Sequence, residues 1–362
     1  MTMVRRLTRR TALLATGTAA AVALGAVTAA TGATAGPAGG AGEVLAECAD
    51  VRGKLERLEG RLTPNNCAFI KRQIAFGETP TGTPPVPGDL THPRVRVYQD
   101  IFDDEATLWE AGTAPQRGLT AIGTSITRSL GLVPDFRYRG TEVVADGAVV
   151  MFGQWNEATV KGHPIAYPQI ARNVLSDDGR TMQARRYYDR HELFKPVAPE
   201  LSPLFAGIAD PGGAGGAGRP ADRRAPERFR AGEITARLAA WNGEDVAALV
   251  GRTGGARLGG PGLAAPLVGA EGQADYLRRL FERADVRFKS GQVAFGRTMT
   301  YVEWYGTAVP AWSKDPVTGK GTEVTFGIVE RFGPGGEWEL FFDTLPLIAT
   351  ESEIAALYRR IA

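Results

Sequence analysis

Asp135-Phe136-Arg137-Tyr138, followed by Trp155, Arg172 and Tyr187-Tyr188-Asp189, returns later in the chain as Asp285-Val286-Arg287-Phe288, Trp304, Arg331 and Phe341-Phe342-Asp343. Asp135 and Trp155 stand 20 positions apart, Asp285 and Trp304 stand 19 apart. An apolar-periodic helix precedes each copy, Gly118 to Leu130 and Gly269 to Phe281. A unit this long is a domain rather than a solenoid repeat, so the pattern predicts two copies of one fold.

Around the first copy, helical periodicity covers Val95 to Trp109 and Ala121 to Leu130. Alternating strand patterns follow at Phe136 to Val144, Ala148 to Thr159, Tyr167 to Leu175 and Thr181 to Leu193, with Asp177-Asp178-Gly179-Arg180 as a hairpin turn. The second copy opens with a helix at Glu233 to Trp241. Asn242-Gly243-Glu244-Asp245 breaks it and caps a short helix at Val246 to Val250. Four strands then repeat the order, at Val286 to Ala294, Thr298 to Ala308, Glu323 to Phe332 and Trp338 to Thr344. A closing helix spans Glu351 to Arg360. Helices first, then a curved antiparallel sheet, is an α+β plan. The Gly-rich run inside 199–231 reads as a flexible linker between a first domain, 92–198, and a second, 232–362.

The chain has 362 residues, enough for two ordinary cores. Thr8-Arg9-Arg10-Thr11-Ala12-Leu13-Leu14 resembles a twin-arginine export signal, with Ala12 where that consensus prefers Phe. An Ala-rich apolar run and a small-x-small site at Ala33-Thr34-Ala35 make residues 1–35 a signal peptide, so the expected location is extracytoplasmic. Its removal takes away four Arg and leaves 38 basic residues against 40 acidic. That balance argues against nucleic acid or an anionic membrane as partner.

Residues 36–91 read as an extension: a charged helix at Glu43 to Arg61, the two cysteines, and a Pro-rich extended strap from Thr79 to Pro87. Cys48 and Cys67 in an exported chain predict one disulfide that pins this extension, at about 3 kcal/mol by loop entropy.

Ala106-Thr107-Leu108-Trp109-Glu110-Ala111-Gly112, Gly118-Leu119-Thr120-Ala121-Ile122 and Arg185-Arg186-Tyr187-Tyr188-Asp189-Arg190 together resemble the SnoaL-like branch of the nuclear transport factor two-like superfamily. The second copy keeps Ala239-Ala240-Trp241-Asn242-Gly243-Glu244-Asp245 and Phe341-Phe342-Asp343. The resemblance implies two cones, each a curved sheet wrapped on helices around an apolar pocket suited to a small, polyketide-like hydrophobic molecule. It also implies chemistry without a cofactor, by acid/base cyclisation, isomerisation or hydrolysis. The fold hosts non-catalytic binding proteins as well.

Within that resemblance Asp189 matches the family's acid/base aspartate. Alternation puts Arg185, Tyr187, Asp189 and His191 on one face, with His191 about 6.5 Å along the strand as its helper. The competing reading pairs Asp189 with Arg185 or Arg172 as a structural ion pair. Tyr187, Trp155, Tyr167, Arg172, Arg137, Trp304 and Asp343 are candidates for lining the ligand sites, and core packing explains the tryptophans equally well. Asp103, Asp104, Asp135 and Arg137 are the raw material for an epoxide hydrolase-like Asp-Arg-Asp arrangement. No Cys/His metal cluster, phosphate loop or dinucleotide fingerprint occurs, so no metal or cofactor is expected. All three histidines precede the linker, which makes the first copy the better candidate for catalysis. The two copies could form an intramolecular pseudo-dimer, since isolated domains of this fold often pair sheet to sheet.

Overall fold

The structure, a computed structural model, describes residues 48–110, 113–201, 203–205, 207–208, 231–253 and 256–362. The expected signal peptide, the opening of the expected extension and the centre of the Gly-rich linker lie outside these residues. Two mixed sheets, each with helices on one face, build the molecule.

The first half runs α1 (Ala49–Arg52), β1 (Arg57–Arg61), α2 (Pro64–Glu78), α3 (Pro93–Gln99), β2 (Phe102–Glu110), β3 (Gln116–Arg117), α4 (Gly118–Leu132), β4 (Arg137–Asp146), β5 (Val149–Val160), β6 (His163–Leu175), β7 (Thr181–Tyr187) and α5 (His191–Phe194). Its seven strands lie in the order β1-β4-β5-β6-β7-β2-β3. The central ladder β4 to β7 is antiparallel, as the alternation predicts, whereas β1 joins β4 and β2 joins β7 in parallel. Lys161 and Gly162, both at positive φ, turn β5 directly into β6, the two-residue hairpin whose twist suits such strands.

The second half comprises α6 (Ala231–Asn242), α7 (Val246–Gly251), β8 (Arg257–Gly259), α8 (Ala270–Arg283), β9 (Ala284–Phe295), β10 (Thr300–Pro310), β11 (Val324–Gly333), β12 (Glu337–Phe341), α9 (Leu345–Ile348) and α10 (Glu351–Ile361). Its sheet order is β8-β12-β11-β10-β9, with β8 parallel to β12. Asp245 caps α7 by accepting from the Ala248 amide at 2.9 Å, as the Asn-Gly-Glu-Asp break suggests.

Three expectations change. The helix expected at Val95 to Trp109 stops at Gln99, and Phe102 to Glu110 becomes an edge strand beside β7. The stretch is apolar at Phe102, Ala106 and Leu108, a spacing of four and then two that a helix or a strand can use. The helix expected at Glu43 to Arg61 is limited, among the described residues, to Ala49–Arg52, and Arg57–Arg61 pairs with β4. The extension's main helix is instead α2, started by Thr63. The Thr63 hydroxyl accepts from the Asn66 amide at 3.2 Å, and the Asn66 side chain accepts from the Thr63 amide at 2.8 Å.

Cys48 and Cys67 are disulfide-bonded, tying α1 to α2. Far from decorating the first half, this segment fills it: Cys67, Phe69, Ile70 and Phe76 are buried with Ile122, Val150 and Phe152 in one core. Deleting that much apolar surface would leave β4 and β5 without a cover.

Cross-strand register fixes the faces. Phe152, Gln154, Asn156 and Ala158 on β5 stand opposite Ala171, Gln169, Tyr167 and Ile165 on β6, and all face the helices. Met151, Ile170, Arg172, Arg185 and Tyr187 face the other way. There they meet Tyr301, Glu303, Tyr305 and Val329 from the second sheet, so the outer faces of the two sheets pack together.

Candidate functional site

Asp189 lies just beyond β7, because the strand ends at Tyr187 and the chain turns into α5. The alternation that would put Asp189 and His191 beside Tyr187 therefore stops two residues too early. Asp189 is buried, and its Oδ1 accepts from the Thr344 amide (3.0 Å), the Thr344 hydroxyl (2.8 Å) and the His191 amide (3.1 Å). Asp343 makes the reciprocal set: its Oδ1 accepts from the Arg190 amide (3.1 Å) and the Leu345 amide (3.3 Å), and its Oδ2 accepts from Arg190 Nε at 2.8 Å. Each aspartate thus ties the strand end of the other copy.

The two differ in charge. Arg190 answers Asp343, while Asp189 receives only neutral donors. Burial, and next the nearby Asp343 carboxylate, push the Asp189 carboxyl up to about 7. His191 donates from Nε2 to the Leu201 carbonyl (3.0 Å). Beside Tyr187 and Asp343 the open volume is about 10 Å³, room for a single water and not for a substrate.

The rest of the predicted Asp189 face belongs to the same joint between sheets. Glu303, fully buried, accepts from Arg172 Nε (2.9 Å), from the Tyr187 hydroxyl (2.6 Å) and from the Gln292 amide (2.8 Å), with Arg185 at 3.3 Å. Burial opposes its charge, but Arg172, Arg185 and these hydrogen bonds hold its carboxyl below the usual range. Arg185 also stacks 3.4 Å above the Tyr305 ring. Trp155 is on this outer face, half-buried and opposite Arg139. Thus Asp189, Tyr187, Arg172 and Asp343 come together in a joint whose carboxylates are all answered, although Arg172 Nη2 and Arg190 Nη2 lack a hydrogen-bond partner.

The other candidates scatter. Arg137 pairs with Glu157 at 2.8 Å at the surface. Asp135 accepts from the Thr159 amide at 3.0 Å, and Asp103 accepts from the Glu105 amide at 3.1 Å in β2, so no Asp-Arg-Asp grouping forms. His163 is exposed at the start of β6. Trp304 is inside the second cone, where its indole donates to Glu330 at 2.9 Å.

Inside the first cone is a polar cluster built around Arg186, on the face of β7 opposite Arg185 and Tyr187. Arg186 donates to Glu110 (2.6 Å) and to the Tyr98 hydroxyl (2.6 Å). The Tyr138 hydroxyl donates to the Gln73 carbonyl at 2.5 Å. Gln154 donates to Asn156 at 2.8 Å, and Asn156 to Gln169 at 3.4 Å. Tyr167 stacks on Tyr188 with ring centres 5.5 Å apart. Of the ligand-lining candidates in this half, only Tyr167 faces this interior.

Arg94, on α3, is the member without a counter-charge. It is 1% exposed, with its guanidinium 5.0 Å from the Phe76 ring centre and 5.7 Å from that of Phe136. Nη1 donates to the Thr81 hydroxyl, while Nε and Nη2 have no partner. Burial pulls its proton affinity below the ordinary arginine range, an effect that Tyr138 partly offsets. One residue either side of Phe136, Asp135 and Arg137 line an open cleft of about 370 Å³ shared with Ala158, Thr159 and Ile165. The second cone also holds a buried arginine, in a closed arrangement: Arg237 donates to Glu330 through Nε (2.6 Å) and Nη2 (2.7 Å), and Trp304 and Trp338 complete the carboxylate.

The mouth of the first cone is covered by the end of the chain. Leu357 and Ile361 of α10 are buried with Phe194, Tyr167, Ala158 and Ile165, and Arg360 donates to the Val197 carbonyl at 3.3 Å. Among the described residues, no helix is long and apolar enough to cross a membrane.

No protein-family model matches the sequence, and none of the curated proteins compared with it matches either. Solved structures of SnoaL-like, nuclear transport factor two-like and ketosteroid isomerase-like proteins do match, each over about two-fifths of this chain. A protein with a ketosteroid isomerase-like fold from Catenulispora acidiphila, in complex with trimethylamine, is 16% identical over 37% of this chain and 97% of its own, with a TM-score of 0.31. A protein from Jannaschia described as a SnoaL-like polyketide cyclase is 10% identical over 38% and 96%, TM-score 0.32. An LEH-like epoxide hydrolase from M. tuberculosis is 21% identical over 39% and 91%, TM-score 0.29.

Proposed function

We propose that this chain binds a small hydrophobic molecule in the cleft on the sheet of its first half, with the second half as its fused structural partner. The observation that carries this is the contrast in saturation. The first half holds a buried guanidinium with two partnerless nitrogens, and its sheet separately carries a cleft of about 370 Å³, a size in the range of ligand sites. The second cone's arginine is fully paired.

Ligand-observed NMR with uncharged and anionic aromatic compounds tests the site. Thr159→Trp, placed at the exposed edge of the cleft, should abolish binding, while Trp338→Phe in the second cone should not. Binding unaffected by Thr159→Trp would remove this cleft from consideration.

Acid/base turnover at Asp189 with His191 is a second reading, supported by one observation: a carboxyl that titrates near neutrality. It requires the joint between the sheets to open, since the hollow there has room for one water. An Asp189→Asn strain whose metabolite profile matches wild type would end it. Export is part of the proposal as well. The Cys48–Cys67 disulfide supports an oxidising compartment, and a cytoplasmic protein retaining its first 35 residues by mass spectrometry would contradict it.

A further inference from the structure

Leu204 and Phe205 belong to the stretch 199–231 that reads as a linker, yet both are buried in the core of the second cone, with Ile208 packed against it. Every other member of that core among the described residues comes from the second half itself. Phe205 is 2% exposed. Its ring lies face to face on Tyr276 of α8, with centres 3.8 Å and planes 18° apart, and meets Phe342 in a T-shaped contact at 6.1 Å. Gly262, at φ +73°, brings bare backbone alongside, and a Cβ there would stand 3.4 Å from the ring.

The slot is built without Phe205. Tyr276 and Phe342 are both residues of the second half, and the Tyr276 hydroxyl donates to the Pro261 carbonyl at 3.1 Å, pinning the 260–263 turn to α8. The Leu263 amide closes that turn on the Gly260 carbonyl at 3.3 Å. The segment that carries Phe205 is held differently. Its backbone hydrogen bond, from the Ile208 amide to the Phe205 carbonyl at 3.4 Å, stays within the segment. In sequence a Gly-rich run, 211–218, follows it, a composition that imposes no conformation on what precedes it. The helix α10, which covers the first cone, is secured on both counts: a Thr350–Glu353 capping box starts it, and Arg360 ties it to Glu200 and to the Val197 carbonyl.

We propose that Phe205 is the intramolecular occupant of a site for a flat, uncharged aromatic ring, and that an external ligand of this class takes the slot by displacing it. The site is separate from the cleft on the first sheet. The stacking face of Tyr276, the T-shaped contact with Phe342 and the bare backbone of Gly262 select a planar ring over a bulky aliphatic group. The neighbours that frame the ring carry no charge, and the Tyr276 hydroxyl is committed to Pro261, so a charged ligand would lose its water without gaining a partner. Displacement exchanges one buried ring for another, which preserves the apolar burial of the slot. The ligand's apparent affinity is lowered by the fraction of chains in which Phe205 is out. A tethered ring is present at high effective concentration, so Phe205 sets a threshold that weak or poorly shaped ligands do not cross.

Calorimetric titration of the full chain with indole tests this, with benzoate as the charged comparison and hydrogen exchange followed at 203–208 and in α8. Wild type should bind indole in preference to benzoate, and indole should speed exchange at 203–208 while α8 stays protected. The same response should persist in Thr159→Trp, whose first-half cleft is blocked, so the two sites succeed or fail separately. Phe205→Ala vacates the slot and should bind indole about tenfold more tightly or better. If that variant does not fold, Phe205→Leu, which keeps an apolar plug without the stacking face, replaces it with the same expected direction. Indole binding to Phe205→Ala but not to wild type would make Phe205 a permanent core residue beside an engineered cavity, and would overturn the proposal. Equal affinity in the two chains, or binding to wild type with exchange at 203–208 unchanged, would place the ligand elsewhere and overturn it as well. So would the absence of binding to either chain.

Discussion

Arg94 and Arg237 occupy comparable situations in the two halves, each buried and each lying over two aromatic rings, yet one has a carboxylate and the other does not. In the second half Glu330 accepts from two nitrogens of Arg237 and from two tryptophan indoles. Such a cluster is costly to desolvate but, once complete, has no capacity left for a ligand. The first half lacks the acid, so its arginine keeps two free donors. One fold used twice therefore holds a finished polar core and an unfinished one.

The largest way to break that contrast is to unfinish the second cone. Glu330→Ala strands Arg237 and two indoles, and should cost about 3–5 kcal/mol in urea unfolding. The sheet joint comes next. Asp343→Asn removes the charge facing Arg190 while keeping an acceptor, and should cost about 2 kcal/mol. The companion change at Asp189 should behave oppositely and with pH. Its folded pKa of about 7 lies above the ordinary value of 3.8, so between those values the native chain holds a proton that the unfolded chain has released. Stability from this group therefore falls as pH rises from about 4 to about 7 and is level above. Asp189→Asn mimics the protonated form. It should match wild type near pH 4 and exceed it at pH 8, and a flat difference across that range would contradict the charge asymmetry of the joint. Smallest is Arg94→Met in the absence of ligand, expected within about 0.5 kcal/mol of wild type or above it.

Most strands of both sheets were legible, because period-2 patterns bounded by Gly and Asp turns leave little freedom at β4 to β7 and β9 to β12. The disulfide was legible too, since only two cysteines exist. What the pattern could not say is which face of each strand looks inward. Alternation separates Tyr187 from Tyr188, but polarity names the core only where the other face meets water. Here both faces are largely covered, one by helices and one by the second sheet, so Arg172 and Arg185 read like pocket residues while serving the joint. Arg94 had no local signal at all. An arginine in the short run Pro93-Arg94-Val95-Arg96-Val97 reads as a solvated helix face, and only the closure of the Thr79 to Leu90 segment above it, through Thr81, puts it inside. The helix α2 was missed for a similar reason: Asn65, Asn66 and Gly77 weaken its propensity, and packing against β4 compensates.

The reciprocal aspartates also bear on how such a molecule can change over evolutionary time. Where two identical subunits meet about a symmetry axis, every substitution at the contact is made in duplicate, so an arginine that suits one side is imposed on the other. Carrying both sheets on one chain lifts that constraint. Position 190 can hold arginine while its counterpart, position 344, holds threonine, so the two ends of a single joint carry different charges.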